Sequence, residues 1–443
     1  MRLEIPEKVE WIIKKLEDAG YEAYAVGGCV RDSVLNRNPH DWDITTSAKP
    51  EEVKRVFGRT IDTGLKHGTV TVMIEKEGFE ITTYRIDGLY EDGRHPSEVT
   101  FASELVEDLK QRDFTINAMA YNHTEGIVDL FGGMEDLKNQ VIRCVGDPME
   151  RFSEDALRIM RAVRFSAQLG FVIEPETKKA LSVLAPNLKY ISAERIQSEL
   201  QKLILSPHPD YLRTAYETGI TREVLPELDV CMETEQNTPY HCYTVGEHIL
   251  QSMRYVRSDK VLRFTMLLHD IAKPRVKTTD ASGRDHFKMH SVLGEKMAVD
   301  IMRRLKMDND TISKVRRLIQ WHDYRPEGEF LPVRRALNKI GKDIFPMYLE
   351  VQRADMLSQS QFRRKEKEER LEKVGECYRY ILDSDQCVTL KDLAVTGSDL
   401  IAAGMKPGKE LGAVLQMLLD KVLENPELNK KEILLQMAGL DQT

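Results

Sequence analysis

Two carboxylates separated by one residue, Asp41 and Asp43, constrain this sequence more than any other feature. The surrounding pattern predicts a strand around Trp42 to Thr45. Side chains alternate along a strand, so both carboxylates are expected on one face. Two like charges on one face are costly unless a cation lies between them, and a divalent metal ion is the natural partner. An Asp-x-Asp pattern alone is more often a solvated acidic turn, so the neighbouring residues have to decide between the two interpretations.

A glycine pair upstream favours the metal interpretation. A short apolar strand over residues 23–26 ends at Gly27 and Gly28, and a helical stretch follows. Glycines at a strand-to-helix turn allow backbone N–H groups to approach a phosphate closely. A glycine pair alone indicates only a tight turn. Together with Asp41 and Asp43 at this spacing, it predicts two-metal phosphoryl transfer.

Hydrophobic patterns place this constellation in an α/β region that is followed by helices. The N-terminal third combines a predicted helix from Val9 to Ala19 with alternating, β-branched strands over 68–74 and 79–84. The polar segment 87–100 contains Gly and Pro and predicts a mobile loop. From Ser153 onward, apolar residues recur at steps of three and four, which is a helical rhythm. The expected fold class is therefore α+β, a small mixed β-sheet head followed by a largely all-α body, with divisions at 1–145, 146–225, 226–365 and 366–443.

Composition bears on the partners and the cellular compartment expected for the protein. The formal net charge of −8 argues weakly against a nucleic-acid partner, but a local basic channel can hold an RNA backbone on an acidic protein. Basic clusters occur at 158–164 and 362–367. Six scattered cysteines without a Cys-x-x-Cys pair favour a reduced, cytoplasmic protein. No apolar run has membrane-spanning length, and the N-terminus predicts an amphipathic helix rather than a signal peptide.

The segment GGCVRDSVLNRNPHDWDITT, residues 27–46, resembles the signature of class II CCA-adding enzymes and bacterial poly(A) polymerases. Both belong to the polymerase-β-like nucleotidyltransferase superfamily. Four further segments continue the resemblance in the same order. They resemble the family's ribose-reading motif, its helical spacer, its base-reading motif and the element after it, at residues 111–120, 129–137, 151–158 and 193–200. Five motifs in order are very specific, and the resemblance covers nearly the whole chain.

The resemblance implies a role for each position. Asp41 and Asp43 would bind two Mg²⁺ ions, and Glu80 either completes this carboxylate cluster or is an ordinary exposed strand glutamate. Gln111 departs from the family, which usually has an arginine there, so any contact of that arginine with tRNA or phosphate is weakened. The other nucleotide-binding candidates are Gly27, Gly28 and Arg31 for the triphosphate, Arg112, Asp113 and Asn117 for the ribose hydroxyls, and Arg161 and Arg164 in the basic cluster.

Asp155 and Arg158 are three residues apart on a predicted helix and therefore share a face. An i,i+3 salt bridge is the ordinary interpretation. Alternatively, the carboxylate accepts from the amino group of cytosine or adenine while the guanidinium donates to the ring acceptors. Uracil and guanine present the opposite pattern, and each buried mismatch costs about 1–3 kcal/mol. The resemblance assigns this protein-template role to Glu154, Asp155 and Arg158, and it assigns the switch from C to A to a loop at the position of residues 87–100.

Six of the eleven histidines fall within residues 241–322, a clustering that chance surface histidines do not explain. Their order, with two aspartates, resembles the HD metal-dependent phosphohydrolase superfamily. This resemblance makes His241, His269, Asp270 and Asp355 the primary ligands of a divalent metal ion (Ni²⁺, Mn²⁺, Co²⁺ or Mg²⁺), with His290 and His322 as candidates for a second ion. Metal binding and ordinary packing or capping are about equally consistent with His248 and His286. A metal-activated water would hydrolyse phosphomonoesters or 2′,3′-cyclic phosphates, unless the domain is a degenerate fold that only supports tRNA binding.

These resemblances give each predicted division a function. Residues 1–145 form the nucleotidyltransferase head, 146–225 a base-reading and tRNA-binding region, 226–365 the HD domain, and 366–443 a helical tail. The tail resembles that of HD-bearing CCA-adding enzymes and either binds tRNA or packs as a scaffold.

The leading hypothesis is template-independent addition of C, C and A to the 3′ end of tRNA, from CTP and ATP. An A-adding enzyme or a poly(A) polymerase is the first alternative, and the HD domain and tail favour tRNA maturation over tailing. A phosphohydrolase with an RNA-binding head is the second, and intact Asp41, Asp43, Asp155 and Arg158 argue against it. A non-enzymatic RNA-binding protein is least consistent, because two metal sites would then have no use. We expect neither a membrane nor DNA as a partner.

Overall fold

A seven-stranded mixed sheet forms between Ala23 and Asp129, in a computed structural model that describes residues 2–39, 41–64, 68–87 and 99–440. Its strands are short and rich in β-branched residues, which suit a pleated, half-buried surface. The strands in this part of the chain are β1 (Ala23–Val26), β2 (Ile44–Thr46), β3 (Thr60–Gly64), β4 (Thr69–Ile74), β5 (Glu77–Thr83), β6 (Arg85–Asp87), β7 (Val99–Phe101), β8 (Met119–Asn122), β9 (Gly126–Asp129), β10 (Val141–Ile142) and β11 (Val172–Ile173). The sheet order is β3-β4-β5-β2-β1-β8-β9, and only β2 and β5 are parallel neighbours in it.

The register around β2 brings Asp43, which directly precedes this strand, next to a residue within β5. Ile44 of β2 lies opposite Ile81 of β5. On the other side of β2, the backbone N–H of Val26, at the end of β1, donates to the carbonyl of Asp43 at 3.0 Å. Because β2 and β5 are parallel, Asp43 lies beside Glu80 at the same end of the sheet. The predicted strand around 42–45 therefore starts later than expected, and both Asp41 and Asp43 precede it.

Helices cover the sheet and extend beyond it. The first helix buries four residues at helical spacing, Val9, Ile12, Ile13 and Leu16, and packs against β1. The helices of the N-terminal unit are α1 (Glu7–Asp18), α2 (Gly28–Val34), α3 (Pro50–Val56), α4 (Leu105–Lys110), α5 (Gly133–Asn139), α6 (Pro148–Glu154), α7 (Leu157–Leu169), α8 (Pro175–Leu184), α9 (Ala193–Ile204), α10 (Leu212–Glu217) and α11 (Ile220–Val224), followed by α12 (Pro226–Met232). A mixed sheet followed by helices confirms the predicted α+β class.

The chain divides into two compact units, Met1–Asp229 and Val230–Thr443. The second is helical except for the short pair β12 (Thr278–Thr279) and β13 (Asp285–His286). Its helices are α13 (Val245–Met253), α14 (Lys260–Leu268), α15 (Lys273–Val276), α16 (His290–Arg304), α17 (Asn309–Trp321), α18 (Phe330–Ile340), α19 (Phe345–Leu357), α20 (Arg364–Asp383), α21 (Gly397–Ala402), α22 (Lys409–Glu424) and α23 (Lys431–Met437). Helices α13, α14, α17 and α19 pack on one another, and α16 packs on α17.

Two sequence predictions about organisation remain predictions. The finer division at residue 145 and at residue 365 stays an expectation from sequence patterns. The predicted loop at 87–100 falls largely outside the described residues, and only its ends are seen, where β6 and β7 pair antiparallel. Within the described part of the chain, no helix is long and apolar enough to cross a membrane.

Candidate functional site

Gly27 turns the chain from β1 into α2 with a positive φ of 82°. A Cβ at this position would lie 2.7 Å from Nη1 of Arg112, so a side chain would displace that guanidinium. Gly28, the first residue of α2, would meet only ordinary contact, at 3.7 Å from Nη2 of Arg31. Both glycines line a cleft of about 730 Å³. The turn therefore presents the N-terminus of α2 and two arginines to the cleft, which suits an anion.

Asp43 and Glu80 line the same cleft, and Asp41 lies close enough to Asp43 to act on its charge. Partial desolvation raises the pKa of the Asp43 carboxyl, Arg112 opposes this rise, and the charge of Asp41 adds to it. Neighbouring carboxylates carry negative charges that repel one another, and their oxygen atoms are the ligands that Mg²⁺ prefers. Sheet register therefore brings Asp43 and Glu80 to one cleft, whereas Asp41 is not part of the cleft wall, and the metal-binding role of the three carboxylates stays a prediction.

Two of the three predicted ribose-reading residues, Asp113 and Asn117, lie in one hydrogen-bonded network, whereas the third, Arg112, pairs with Asp108. Asp113 Oδ1 accepts from Nδ2 of Asn117 at 3.1 Å, and its Oδ2 accepts from Nε of Arg161 at 2.7 Å. The amide oxygen of Asn117 accepts from Nη1 of Arg31 at 2.6 Å. Burial acts to raise the pKa of Asp113, but Arg161 and Asn117 outweigh it and lower the pKa to about 2. A permanently charged carboxylate thus holds Arg161 and Asn117 in fixed positions beside the cleft.

The base-reading residues are arranged differently from the prediction. Asp155 and Arg158 do not share a helix, because the chain becomes extended at Asp155 between α6 and α7. No i,i+3 salt bridge joins them in the described structure. Arg158 instead pairs with Glu154 at 2.6 Å, and Asp155 Oδ2 pairs with Arg195 of α9 at 2.8 Å.

The break nevertheless leaves Asp155 and Arg158 on the wall of the cleft. Oδ1 of Asp155 accepts from the backbone N–H of Leu157 at 3.0 Å and so stabilises the start of α7. The hydrogen bonds of Arg158 use its two terminal nitrogens, to Glu154 and to the carbonyls of Arg151 and Gln111. Each Asp155 oxygen keeps a lone pair for a further donor. The pair is therefore rigidly held and able to meet a base edge.

Sequence reasoning missed Arg195 and Phe165, which also line the cleft. The arginine lies in the segment 193–200, which carried the resemblance, but its pairing with Asp155 spans forty residues and no local pattern reveals it. Of the predicted residues, those on the cleft wall are Gly27, Gly28, Arg31, Asp43, Glu80, Gln111, Arg112, Asp113, Asn117, Asp155, Arg158, Arg161 and Arg164.

The second unit gathers a separate cluster of buried histidines and aspartates. Two groups have ligand atoms within 4.8 Å of one another, His248, His269 and Asp270, and Asp270 with His290 and His322. Nε2 of His290 lies 3.0 Å from Nε2 of His322, and Nε2 of His248 lies 3.2 Å from Nε2 of His269. Asp355 Oδ1 lies 3.1 Å from Nε2 of His248. This donor set, imidazoles with carboxylates, suits a divalent transition metal or Mg²⁺.

The electrostatics of the cluster keep its ligands in the forms that metals bind. Burial lowers the pKa of His290 to about 4 and that of His241 to about 2, so both rings are neutral at pH 7. Nδ1 of His241 is buried without a hydrogen-bond partner among the described residues. Although burial acts to raise it, His269 and Lys273 hold the pKa of Asp270 well below its usual range. The carboxylate is therefore charged and able to ligate.

The structure distinguishes the two histidines for which the sequence left metal binding and packing equally open. His248 is fully buried on α13 and lies inside the cluster, whereas sequence reasoning gave packing equal weight. The apolar neighbours Val245 and Ile249 of the same helix were the available signal, since they predict a buried face there. His286 lies outside both groups and pairs with Asp280 at 2.7 Å. His241 is not in either group, but its ring lies 5.0 Å from that of His248.

A cavity of about 320 Å³ opens onto this cluster. Its wall carries His241, Asp270, His290, His322 and Asp355. Positive side chains surround these ligands: Lys273, which pairs with Asp270 at 2.7 Å, Arg325, which pairs with Asp355 at 3.1 Å, and Arg284 and Lys288 on the wall. A cavity with metal ligands at its base and cations on its wall suits a phosphate ester.

Models of known families match three parts of the chain. The "Poly A polymerase head domain" matches residues 23–143, which contain the carboxylates, the glycine turn, Asp113 and Asn117. A model of the RNA-binding site of polymerase A matches residues 170–232. A model of tRNA nucleotidyltransferase domain 2 matches residues 287–438.

Three similar proteins are described as CCA-adding enzymes. The CCA-adding enzyme of Levilactobacillus brevis is 36% identical over 439 residues, which cover 98% of each chain. That of Leuconostoc mesenteroides is 59% identical over 194 residues, which cover 44% of this chain and 48% of the relative. The crystal structure of the Bacillus stearothermophilus CCA-adding enzyme in complex with CTP is 30% identical, with a TM-score of 0.73 over 99% of this chain and 98% of that one.

Proposed function

The chain belongs to the family of CCA-adding enzymes, and we propose from this premise how its own residues carry out the reaction. It adds C, C and A to the 3′ end of tRNA from CTP and ATP, without a nucleic-acid template. The observation that carries the proposal is a single cleft whose wall combines metal-binding carboxylates, a phosphate-binding turn, a ribose network and the pair Asp155 and Arg158. Nucleotidyl transfer needs all four in one place.

The family uses divalent metal ions, and Asp41, Asp43 and Glu80 would hold them as Mg²⁺. When bound, the ions neutralise triphosphate charge and lower the pKa of the tRNA 3′-hydroxyl. The residues of the chain bind and orient the nucleotide. Gly27 and Gly28 let backbone N–H groups reach the phosphates, and Arg31 holds the triphosphate charge.

The ribose is read by the network around Asp113. Asn117 and Arg112 are placed to meet the ribose hydroxyls, and the fixed charge of Asp113 keeps Asn117 oriented. A buried polar group that loses its hydroxyl partner costs about 1–3 kcal/mol. The network therefore selects CTP and ATP over their deoxy counterparts.

The base is read by side chains. The Asp155 carboxylate accepts from the amino group of cytosine or adenine, and Arg158, with Glu154 holding it, donates to the ring acceptor. Uracil and guanine instead place a carbonyl acceptor against the carboxylate and an N–H donor against the guanidinium. The tRNA itself is recognised through backbone and shape, because one enzyme serves every tRNA and therefore cannot depend on a sequence. Neither DNA nor a membrane takes part.

The test uses a tRNA transcript without its last three nucleotides, Mg²⁺ and the four nucleotides offered singly and together, with sequencing of the products. Addition of two C and one A, followed by arrest, supports the proposal. A long A tail would make the chain a poly(A) polymerase, and A addition only to transcripts that end in CC would make it an A-adding enzyme. Absence of incorporation would overturn the proposal for the head.

A second activity is proposed for the second unit, because its cavity joins a ligand cluster to surrounding cations. His241, His269, Asp270 and Asp355 stay the proposed primary ligands, with His290 and His322 for a second ion, and His248 joins them because it lies in the cluster. The ions would supply an activated water. The specific ion among Ni²⁺, Mn²⁺, Co²⁺ and Mg²⁺ is part of this proposal. Lys273 and Arg325 stabilise the charge of Asp270 and Asp355 and present positive charge to a phosphate.

The proposed phosphohydrolase is tested by metal analysis of the purified protein and by hydrolysis of 3′-phosphorylated and 2′,3′-cyclic nucleotides. We expect stoichiometric transition metal and metal-dependent release of phosphate or ring opening. Full metal binding without turnover on any phosphate ester would instead assign the cluster a structural role.

A further inference from the structure

Three arginine side chains converge on one aromatic ring in the wall of the nucleotide cleft. The guanidinium carbon of Arg164 lies 3.7 Å from the centre of the Phe165 ring, and those of Arg31 and Arg161 lie 5.1 Å and 5.3 Å from it. All three distances fall within the roughly 6 Å over which a ring face attracts a cation. Phe165 is 6% exposed and lines the cleft together with the three arginines.

Each arginine has a different polar partner, so the ring is the group that they share. Arg31 donates to Asn117, Arg161 to Asp113, and Arg164 to Glu199 of α9. The first two of these partners belong to the ribose network. The Phe165 ring is itself held by the edge of Phe114, with ring centres 5.8 Å apart and an angle of 79° between the planes.

The chemistry of the ring suits this position. Three guanidinium groups crowded together repel one another, and Arg161 acts to lower the pKa of Arg164 in this way, although burial is the larger cause. A further carboxylate at the centre would hold the arginines but would also repel a triphosphate. The face of a benzene ring is negative without a net charge, so it attracts the guanidinium groups and leaves the cleft positive.

We propose that Phe165 is a positioning residue for nucleotide binding. Its ring holds Arg31 in place for the triphosphate and, through Arg161, holds Asp113 in place for reading the ribose. The inference rests on the proposed nucleotidyl transfer and extends it, because it assigns ribose selection in part to a residue without a polar atom. A role limited to packing would depend on the volume of the ring and not on its charge distribution.

The experiment replaces Phe165, in the full-length protein, by genetically encoded phenylalanines with one, two, three and five fluorines. Fluorination withdraws charge from the ring face and changes its shape little. The dissociation constants of CTP and dCTP are measured by calorimetry with Mg²⁺. The same series at Phe171 is the matched control, since Phe171 is buried in the same unit, does not line the cleft and takes part in none of the cation–ring contacts found among the described residues. Unfolding midpoints are recorded for every variant.

We expect the dissociation constant of CTP to rise stepwise with fluorine number, to roughly tenfold at five fluorines, and the preference for CTP over dCTP to fall. The control series should leave both unchanged. A dissociation constant that does not change along the Phe165 series, or an equal rise along the Phe171 series, would overturn the inference. Failure of the proposed function is seen separately, as a wild-type protein that binds CTP but extends no tRNA transcript.

Discussion

Asp43 carries its charge at a place where the fold makes charge costly. Partial desolvation and the charge of Asp41 raise its pKa even with Arg112 nearby. A carboxyl whose pKa is higher in the folded chain than in the unfolded one destabilises the fold wherever it is ionised, and this cost disappears as the pH falls through its raised pKa. The charge of Asp43 therefore does not stabilise the fold, which is consistent with a chemical role in the cleft.

The substitution Asp43→Asn should separate the two effects. We expect nucleotide addition to fall at least about a hundredfold, because a metal-binding carboxylate is lost. The melting temperature, measured without divalent ions, should stay the same or rise, because the repulsion by Asp41 is removed. Asp62→Asn is the control, since Asp62 is a surface carboxylate paired with Lys54 and should leave addition unchanged. A clear loss of melting temperature in Asp43→Asn would contradict the account.

The pKa of Asp113 is shifted in the opposite direction from that of Asp43. Burial acts to raise its pKa, but Arg161 and Asn117 lower it to about 2. Its charge therefore stabilises the fold above about pH 4, and this contribution is lost as the pH falls toward 2.

Asp113→Asn should consequently lower the free energy of unfolding of the first unit by about 2 kcal/mol at pH 7. The difference from wild type should shrink as the pH falls from 4 toward 2. Urea unfolding followed by Trp11 and Trp42 fluorescence in a Trp321→Phe background measures it, because this background leaves tryptophan only in the first unit. An equal difference at pH 7 and pH 3 would show that the substitution acts by packing and not by charge.

At the level of helices and strands, periodicity predicted the elements better than their ends. The apolar strand at 23–26 was predicted with its observed bounds because a glycine pair ends it. The helical rhythm after Ser153 was correct for α7 but concealed the break at Asp155. An aspartate also accepts from N–H groups at helix starts, and here it does so for Leu157. The helical period alone does not distinguish an aspartate within a helix from one that caps the start of the next helix. The contact with Arg195 that fixes the break is long-range.

The turn between β1 and α2 offers a test with internal controls. Gly20→Ala and Gly27→Ala both place Ala at positive φ, and each should cost about 1–2 kcal/mol of stability. A Cβ at position 20 would have no neighbour within 4 Å, whereas a Cβ at position 27 would displace Arg112, so only Gly27→Ala should also impair CTP binding.

Gly28→Ala tests whether phosphate approaches this turn, without a change in stability. Its Cβ would make only ordinary contacts within the protein, so the melting temperature should stay close to that of wild type. The KM for CTP should nevertheless rise roughly tenfold, because a methyl group obstructs hydrogen bonds from the turn to the phosphates. Equal KM values for Gly28→Ala and Gly20→Ala would exclude this turn as the phosphate site.

At the scale of the whole molecule, the chain has two compact units, and the two overlapping groups of closely spaced metal-ligating side chains found among the described residues lie in the second. The sequence named four of their members, His269, Asp270, His290 and His322, as metal ligands, and that role stays a prediction. The sequence did not predict the place of His248, because its partner Asp355 lies on a helix far along the chain. Contacts of this kind depend on the packing of α13 against α14 and α19, which residue spacing does not encode.

The two proposed active sites should be separable by substitution. Asp270→Asn should abolish metal binding and phosphohydrolysis in the second unit and leave CCA addition unchanged within about twofold, because the two sites share no residue. Asp43→Asn should do the reverse. Both activities are measured on the same preparations, with metal content as a third readout. Loss of addition in Asp270→Asn, with normal circular dichroism, would show that the two sites are coupled.

The most direct test of the central claim, that protein side chains select the base, is the ratio of kcat/KM for CTP and UTP on a tRNA transcript without its CCA end. Wild type and Asp155→Asn are compared, with Glu150→Gln on the exposed part of α6 as the control. An asparagine amide donates to the carbonyl of uracil where the carboxylate repels it. The account predicts a CTP/UTP ratio at least about tenfold lower in Asp155→Asn and unchanged in the control. An equal loss of rate with both nucleotides, at an unchanged ratio, would contradict it.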